Sequence, residues 1–318
     1  MVEHGNMTRA AHALRIVQPA LTRSIKMLES DLRVTLFERT PKGVAPTIYG
    51  LQLVRYARAI LNDMKRAEEE LDATKGMLSG HVTFGTTLNY AYDIVPNAVL
   101  ALRKKWPNLR VTVHEGFMSE LADGVRSAEL DFAFGMLAPP HAGIDASGLM
   151  QETVLAHRTS IIARADHPLV KQRKVSLSQL AQNDWAILGP EQAMGPYFNE
   201  TFISRGLTPP RQVIVARSIH MLKKFLLGSD LISILASHAI SPEIARGELA
   251  VVPCTEGTVT SETGFLNLER TFEAPAVKAM KQILRDQCRL VFHGQEMPPL
   301  AATAGPVARP RRNRAARG

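Results

Sequence analysis

Residues 8–39, TRAAHALRIVQPALTRSIKMLESDLRVTLFER, constrain the fold of this 318-residue chain more tightly than any other stretch. They read as two short helices joined by a tight turn and followed by a strand. Thr8 stands ahead of the first helical residues as an N-cap, where a side-chain oxygen can meet the helix's unsatisfied first N–H groups. Ala10, Ala11 and Leu14 fall on one face, and the two alanines would let a second helix cross closely. Ile16 drops into the junction. Pro19 suits the first turn of the next helix, where its missing N–H has no intrahelical acceptor to serve. Leu21, Ile25, Leu28 and Leu32 then follow at helical period as an apolar stripe. The outer face carries Gln18, Thr22, Arg23 and Lys26, with Glu29 at the far end breaking the sign.

This is the pattern of a helix-turn-helix, whose second helix enters the major groove with its N-terminal residues toward base edges. Gln and Arg carry the paired groups that can read adenine and guanine edges. The plainer alternative is a helical hairpin with a solvated outer face, and helix spacing alone leaves it open.

The full string reaches further. Ala10–Ala11, Leu14, Gln18–Pro19–Ala20–Leu21, Ile25, Leu28–Glu29, Leu32 and Leu36–Phe37–Glu38–Arg39 resemble, in order and spacing, the N-terminal domain of LysR-type transcriptional regulators. The resemblance covers the chain to about Phe292 in layout, with its strong motifs in the first fifty residues. It implies an α/β protein with a winged helix-turn-helix N-terminal domain and a two-lobed effector domain that resembles periplasmic binding proteins. The implied divisions are a DNA-binding domain at 1–48, a linker and dimerisation helix at 49–76, and an effector domain at 81–292. Lobe I would take about 81–152 and 265–292, lobe II about 153–264, and 293–318 would be a basic tail. Two departures stand out. The family carries a first helix of about four turns, of which Met1–Gly5 reads as the last turn and exit, so the chain is expected to be truncated there. Arg33 stands where the family has Gly, the residue suited to a left-handed helix end.

Charge distribution agrees with the motif. Residues 1–66 carry eleven Lys or Arg against five acids, while 81–300 carry twenty-one of each. The overall charge of +8 is therefore concentrated in the N-terminal segment and in the five arginines of 301–318. A basic head on a neutral body is the footprint expected for phosphate contact. Aromatic residues make up only 6%, which argues against stacking on single strands as the main mode. Two distant cysteines, Cys254 and Cys288, make no disulfide framework and point to a reducing cytoplasm. There is no secretory h-region and no apolar run of membrane-spanning length, so no membrane partner is expected.

Along the chain, Thr40–Thr47 reads as a hairpin wing in which Arg39 and Lys42 could touch phosphate and Thr47 donate to it. Leu53, Ala57, Ile60, Met64, Ala67 and Leu71 form a heptad-like seam on a long helix that needs a partner, either a second subunit or the body of its own chain. From His81 the pattern changes to strand–helix alternation and predicts a parallel sheet. Strands are expected at Val82–Gly85, Leu109–Val113 and Leu130–Phe134, with helices at Ala91–Trp106 and Ser119–Ala128. A second unit is expected from Glu152, with strands near Ser160–Ala163, Trp185–Leu188, Gln212–Val215, Leu231–Leu235 and Leu249–Val252. Thr258–Leu268 reads as extended, Ala274–Phe292 as a closing helix, and 294–318 as disordered.

Open parallel sheets bind ligands at the carboxyl ends of their strands. Thr86 and Thr87 follow the first strand, Ser119 opens a helix, and Ser218 with His220 opens another. The resemblance groups these with Gly135, Met136 and Gln192 around a cleft for a small carboxylate or sugar-like effector. The alternative at each Ser or Thr is a simple helix cap. Ser237–His238 lacks a nucleophile-elbow context, and no histidine or cysteine spacing suits zinc. No enzyme activity, cofactor or metal is therefore expected. The expected base-facing residues are Gln18, Pro19, Thr22 and Arg23, and the phosphate contacts Arg9, Lys26, Arg39, Lys42 and Thr47. The expected protein is a cytoplasmic homodimer or homotetramer that binds double-stranded DNA and acts on RNA polymerase. The competing reading is a solute-binding protein of periplasmic type with no DNA role.

Overall fold

The computed structural model describes residues 1–2, 4–40, 43–74, 80–137, 148–189, 198–199, 202–254, 256, 260–269 and 273–292. Among these, one compact unit comprises 1–135, 148–151 and 265–287, and a second comprises 136–137, 152–264 and 288–292. The expected tail at 293–318 and the tip of the wing lie outside the described residues.

The first unit opens with α1 (Met7–Ala13) and α2 (Gln18–Leu32). The cap of α1 is Asn6 and not Thr8: the Asn6 Oδ1 accepts from the N–H groups of Thr8 and Arg9 at 2.8 and 3.3 Å, and Thr8 lies inside the helix. Ala10, Ala11 and Leu21 are buried together, with Met1, Met7 and Ile25 packed against them. The rest of the expected stripe is not covered by described residues. Leu28 (39% exposed) and Leu32 (45%) face outward, and so do Leu14 (61%) on α1 and Ile16 (43%), the residue expected in the junction. Helical spacing sets which side chains share a face, but only a packed partner buries them.

Arg33 ends α2 in a left-handed conformation, one that suits glycine best, at φ 55° and ψ 33°. Its N–H and that of Val34 return to the carbonyls of Ser30 and Glu29. Glu29 does not belong to the outer face. Its carboxylate accepts from the N–H groups of Leu36 (2.7 Å) and Phe37 (3.1 Å), tying α2 to β1 (Phe37–Thr40). β1 pairs antiparallel with β2 (Gly43–Pro46), forming the expected hairpin, with Arg39 opposite Val44. The Val44 N–H donates to Gly5 O at 3.1 Å, which joins the N-terminal turn to the hairpin.

The long helix α3 (Ile48–Thr74) begins on Thr47. The Thr47 hydroxyl donates to Thr35 O at 2.6 Å and accepts from the Gly50 N–H at 3.1 Å. A β-carbon on Gly50 would lie 2.0 Å from the Leu36 carbonyl oxygen, so only glycine lets the first turn of α3 pack this closely. An Arg58–Glu129 ion pair joins α3 to the body of the unit.

That body is a parallel arrangement of β3 (Gly80–Thr87), β4 (Leu109–Gly116) and β5 (Phe132–Met136), with β3 in the middle. Helix α4 (Ile94–Lys105) starts three residues later than its apolar pattern suggested, and α5 (Met118–Arg126) starts one residue earlier. β5 begins at Phe132 and not Leu130, because Leu130 packs against Gly124 and Gly85. Phe84 and Phe132 stack with centroids 4.9 Å apart, and Phe265 meets Phe132 edge-on.

The remaining strands are β6 (Leu149–Arg164), β7 (Trp185–Leu188), β8 (Gln212–Ala216), β9 (Ser233–Ala236), β10 (Leu249–Val251) and β11 (Thr260–Leu268). The helices are α6 (Leu177–Ala181), α7 (Ile219–Leu227), α8 (Ser241–Ala245) and α9 (Pro275–Phe292). Strand order in the largest sheet is β10-β6-β11-β5-β3-β4, with β9 also on β6. The parallel pairing expected from residue 81 holds for β3, β4 and β5, while β9 and β10 both run antiparallel to β6 and β7–β8 is parallel. β6 is sixteen residues long, where alternation marked only Ser160–Ala163. Trp185 anchors the second core: its indole N–H donates to Leu180 O at 3.1 Å, and Phe198 and Phe202 pack on its ring.

Candidate nucleic-acid interface and effector site

Gln18, Pro19, Thr22, Arg23 and Lys26 line one surface concavity of about 420 Å3. Their spacing at i, i+1, i+4, i+5 and i+8 groups them along one side of α2, next to the stripe that holds Leu21 and Ile25. Gln18 Nε2 donates to Thr22 Oγ1 at 3.1 Å, and that hydroxyl donates to Gln18 O at 3.0 Å. Gln18 thus keeps one N–H and its amide oxygen, the donor–acceptor pair an adenine edge requires. Arg23 and Lys26 are exposed and make no ion pair among the described residues. Helix α2 lacks a side-chain cap, because Val17 stands at that position with no oxygen to offer. The sequence reading missed this feature, although the residue type alone announces it.

Arg9 is exposed on α1. Arg39 lies in β1, and Lys42 lies outside the described residues. Thr47 departs from its expected role: its single hydroxyl proton goes to Thr35, so it caps α3 and is not poised to donate to phosphate.

The effector candidates fall in two groups. In the first unit, the carboxyl ends of β3, β4 and β5 bring Thr87, Gly116 and Gly135 side by side. Gly135, at φ 151°, approaches so closely that an added β-carbon would lie 2.0 Å from Thr87 Oγ1. Thr86 is fully buried within β3, so it shapes the strand end from beneath, while Thr87 is half-buried. Ser119 is exposed in the first turn of α5 and is not its cap; there the Glu120 carboxylate accepts from the Phe117 N–H at 3.2 Å. Met136, the last residue of β5, is half-buried and already belongs to the second unit. In the second unit, Ser218 caps α7 by accepting from the Met221 N–H at 3.5 Å, and His220 is exposed in the first turn. Gln192 lies outside the described residues.

A further concavity of about 410 Å3 lies along β4 and α5, lined by Glu115, Glu120, Asp123 and Glu129 beside His114. Its charge would repel a carboxylate, and none of the candidate effector residues lines it. Both cysteines are buried, and burial pushes the Cys288 thiol up to about 12, leaving no accessible thiolate. Among the described residues no helix is long and apolar enough to cross a membrane.

A winged helix-turn-helix carrying a basic reading face, joined by a long helix to an α/β body, defines a DNA-binding regulator with a ligand-binding domain. Residues 1–51 match the bacterial regulatory helix-turn-helix proteins of the lysR family, and residues 75–289 match the LysR substrate binding domain. The chain belongs to the LysR family of transcriptional regulators. It is 31% identical over 252 residues to the transcriptional regulator GbpR of Azospirillum brasilense, covering 79% of this chain and 73% of that protein. It is 27% identical over 285 residues to GalR of Pseudomonas putida, covering 90% and 71%. The fold matches a full-length OxyR variant of Pseudomonas aeruginosa with a TM-score of 0.69 at 21% identity, covering 92% of each chain. Full-length BenM matches with a TM-score of 0.55 at 22% identity, covering 94% and 96%. Regulators of this family bind DNA and small-molecule effectors and form oligomers.

Proposed function

We propose that α2 enters the major groove with Gln18, Pro19, Thr22 and Arg23 toward bases, while Arg9, Lys26, Arg39 and Lys42 hold phosphate. The observation that carries this reading is the concavity on α2, whose charges are all positive. The effector is a small carboxylate or a sugar-like polyol. The candidate contacts are, in the first unit, the strand ends that carry Thr87 and Gly135, with Thr86 beneath and Ser119, and, in the second unit, Met136, Gln192, Ser218 and His220. Hydroxyls beside a glycine-lined strand end favour such a ligand over an apolar one. The DNA-binding domain spans 1–48, the linker helix 49–76 and the effector domain 81–292. The protein acts in the cytoplasm as a homodimer or homotetramer, carries out no catalysis, and influences RNA polymerase at the promoter.

The test is a binding titration on a duplex that the protein selects from a random pool and on random duplex DNA. Arg23→Ala should cost about 1–3 kcal/mol on the selected duplex and little on random DNA. Equal losses on both would remove Arg23 from base reading.

A further inference from the structure

Among the described residues, three other than glycine hold a left-handed backbone: Arg15 at φ 56°, Arg33 at φ 55° and Ala128 at φ 56°. Two of the three are arginines, one at each end of α2. Glycine is the natural occupant of this conformation, because a β-carbon crowds the neighbouring carbonyl. A long cationic side chain kept there is either tolerated or used.

The surroundings separate the two ends. From residue 6 to residue 28 the chain carries Arg9, Arg15, Arg23 and Lys26 and no acid. Arg15 is exposed, and its guanidinium makes no ion pair or hydrogen bond among the described residues. Its backbone is pinned: the Arg15 N–H donates to His12 O and the Ile16 N–H to Ala11 O, both at 3.0 Å. The turn therefore fixes where the Cα–Cβ bond of Arg15 leaves the backbone, and the exposed side chain extends from that point. Arg15 stands three residues before Gln18, at the end of α2 that meets the bases. Arg33 lies beyond the other end of this fifteen-residue helix, about 22 Å along its axis, with Glu29 and Asp31 close by in sequence.

We infer that Arg15 is a DNA phosphate contact that fixes the register of α2 in the groove. The inference rests on the reading of α2 as the groove-entering helix. A planar guanidinium can hold a phosphate through two parallel N–H donors, and that contact carries no sequence information of its own. Arg33 has no such role and serves as the internal control.

Four variants of the full chain test it: Arg15→Gly, Arg15→Lys, Arg33→Gly and Arg23→Ala. Each is titrated over a salt series on the selected duplex and on random duplex DNA. Arg15→Gly should weaken binding to both alike and lower the slope of log K against log salt by about 1. Arg15→Lys should restore the slope, and Arg33→Gly should leave both slope and affinity unchanged. Both glycine variants should raise the thermal midpoint, which shows that they fold. An unchanged slope in Arg15→Gly, or a lysine that fails to restore it, overturns the inference. If Arg23→Ala loses affinity on the selected duplex while Arg15→Gly loses none on either, only the role of Arg15 falls. If the wild-type protein shows no sequence selection at all, the reading of α2 falls with it.

Discussion

Glu29 shows how a residue's role is decided by atoms far from it in sequence. On a helical wheel it belongs with Arg23 and Lys26 as an interruption of the basic face. In the folded chain its carboxylate instead satisfies two backbone N–H groups where α2 hands over to the wing. Charge-assisted bonds of this kind are the stronger ones, and a donor left unmade in a half-buried place is costly. Glu29→Ala should lower the unfolding free energy by about 2 kcal/mol, read by urea denaturation, and Glu29→Gln by less. A variant that kept its stability but lost DNA affinity would return Glu29 to the reading face.

At the scale of the element, α3 presents apolar side chains that nothing described covers. Ile60, Met64 and Leu71 are each more than 60% exposed, and Ala57 and Ala67 beside them are exposed as well. The seam was legible from spacing because heptad periodicity is a local property of the chain. A helix of 27 residues, about 40 Å long, buries such a seam only against another surface. If that surface is the same helix of a second copy, Ile60→Asp with Met64→Asp should convert the oligomer to monomer in sedimentation velocity. A dimer that survived both charges would move the interface elsewhere. The stripe on α2 is the contrasting case. Its period was equally clear, yet Leu21 is 7% exposed and Leu32 45%. Period reports which residues share a face; burial depends on what packs there.

The whole molecule carries a pH dependence invisible in the sequence. His157 on β6 is buried, its Nδ1 is 3.3 Å from Thr263 Oγ1, and its ring packs on Phe292. Burial lowers its pKa from 6.5 to about 4. The unfolded chain therefore takes up this proton first. The contribution of the neutral ring is present above pH 6.5 and is lost progressively as the pH falls toward 4. The loss amounts to roughly 3 kcal/mol, which unfolding curves across that range should show in the wild type and not in His157→Phe. An equal slope in both would place the titration on another group.

The sequence by itself determined what is local. Pro19 just inside α2, the polar and basic residues on that helix, the seam of α3 and the strand–helix alternation from residue 81 all follow from side-chain chemistry and spacing within a few turns. The chain's concentration of positive charge in its first 66 residues is likewise a sequence property. Tertiary structure alone decided which of several capable residues took a role. Glu29 turned to the N–H groups of Leu36 and Phe37, Thr47 spent its hydroxyl proton on Thr35 O, and β6 runs sixteen residues beside β9, β10 and β11, which come from far along the chain. The reason is physical: a hydroxyl, a carboxylate or a strand edge has no partner of its own until the fold brings one within about 3 Å, and that distance is set by the rest of the molecule.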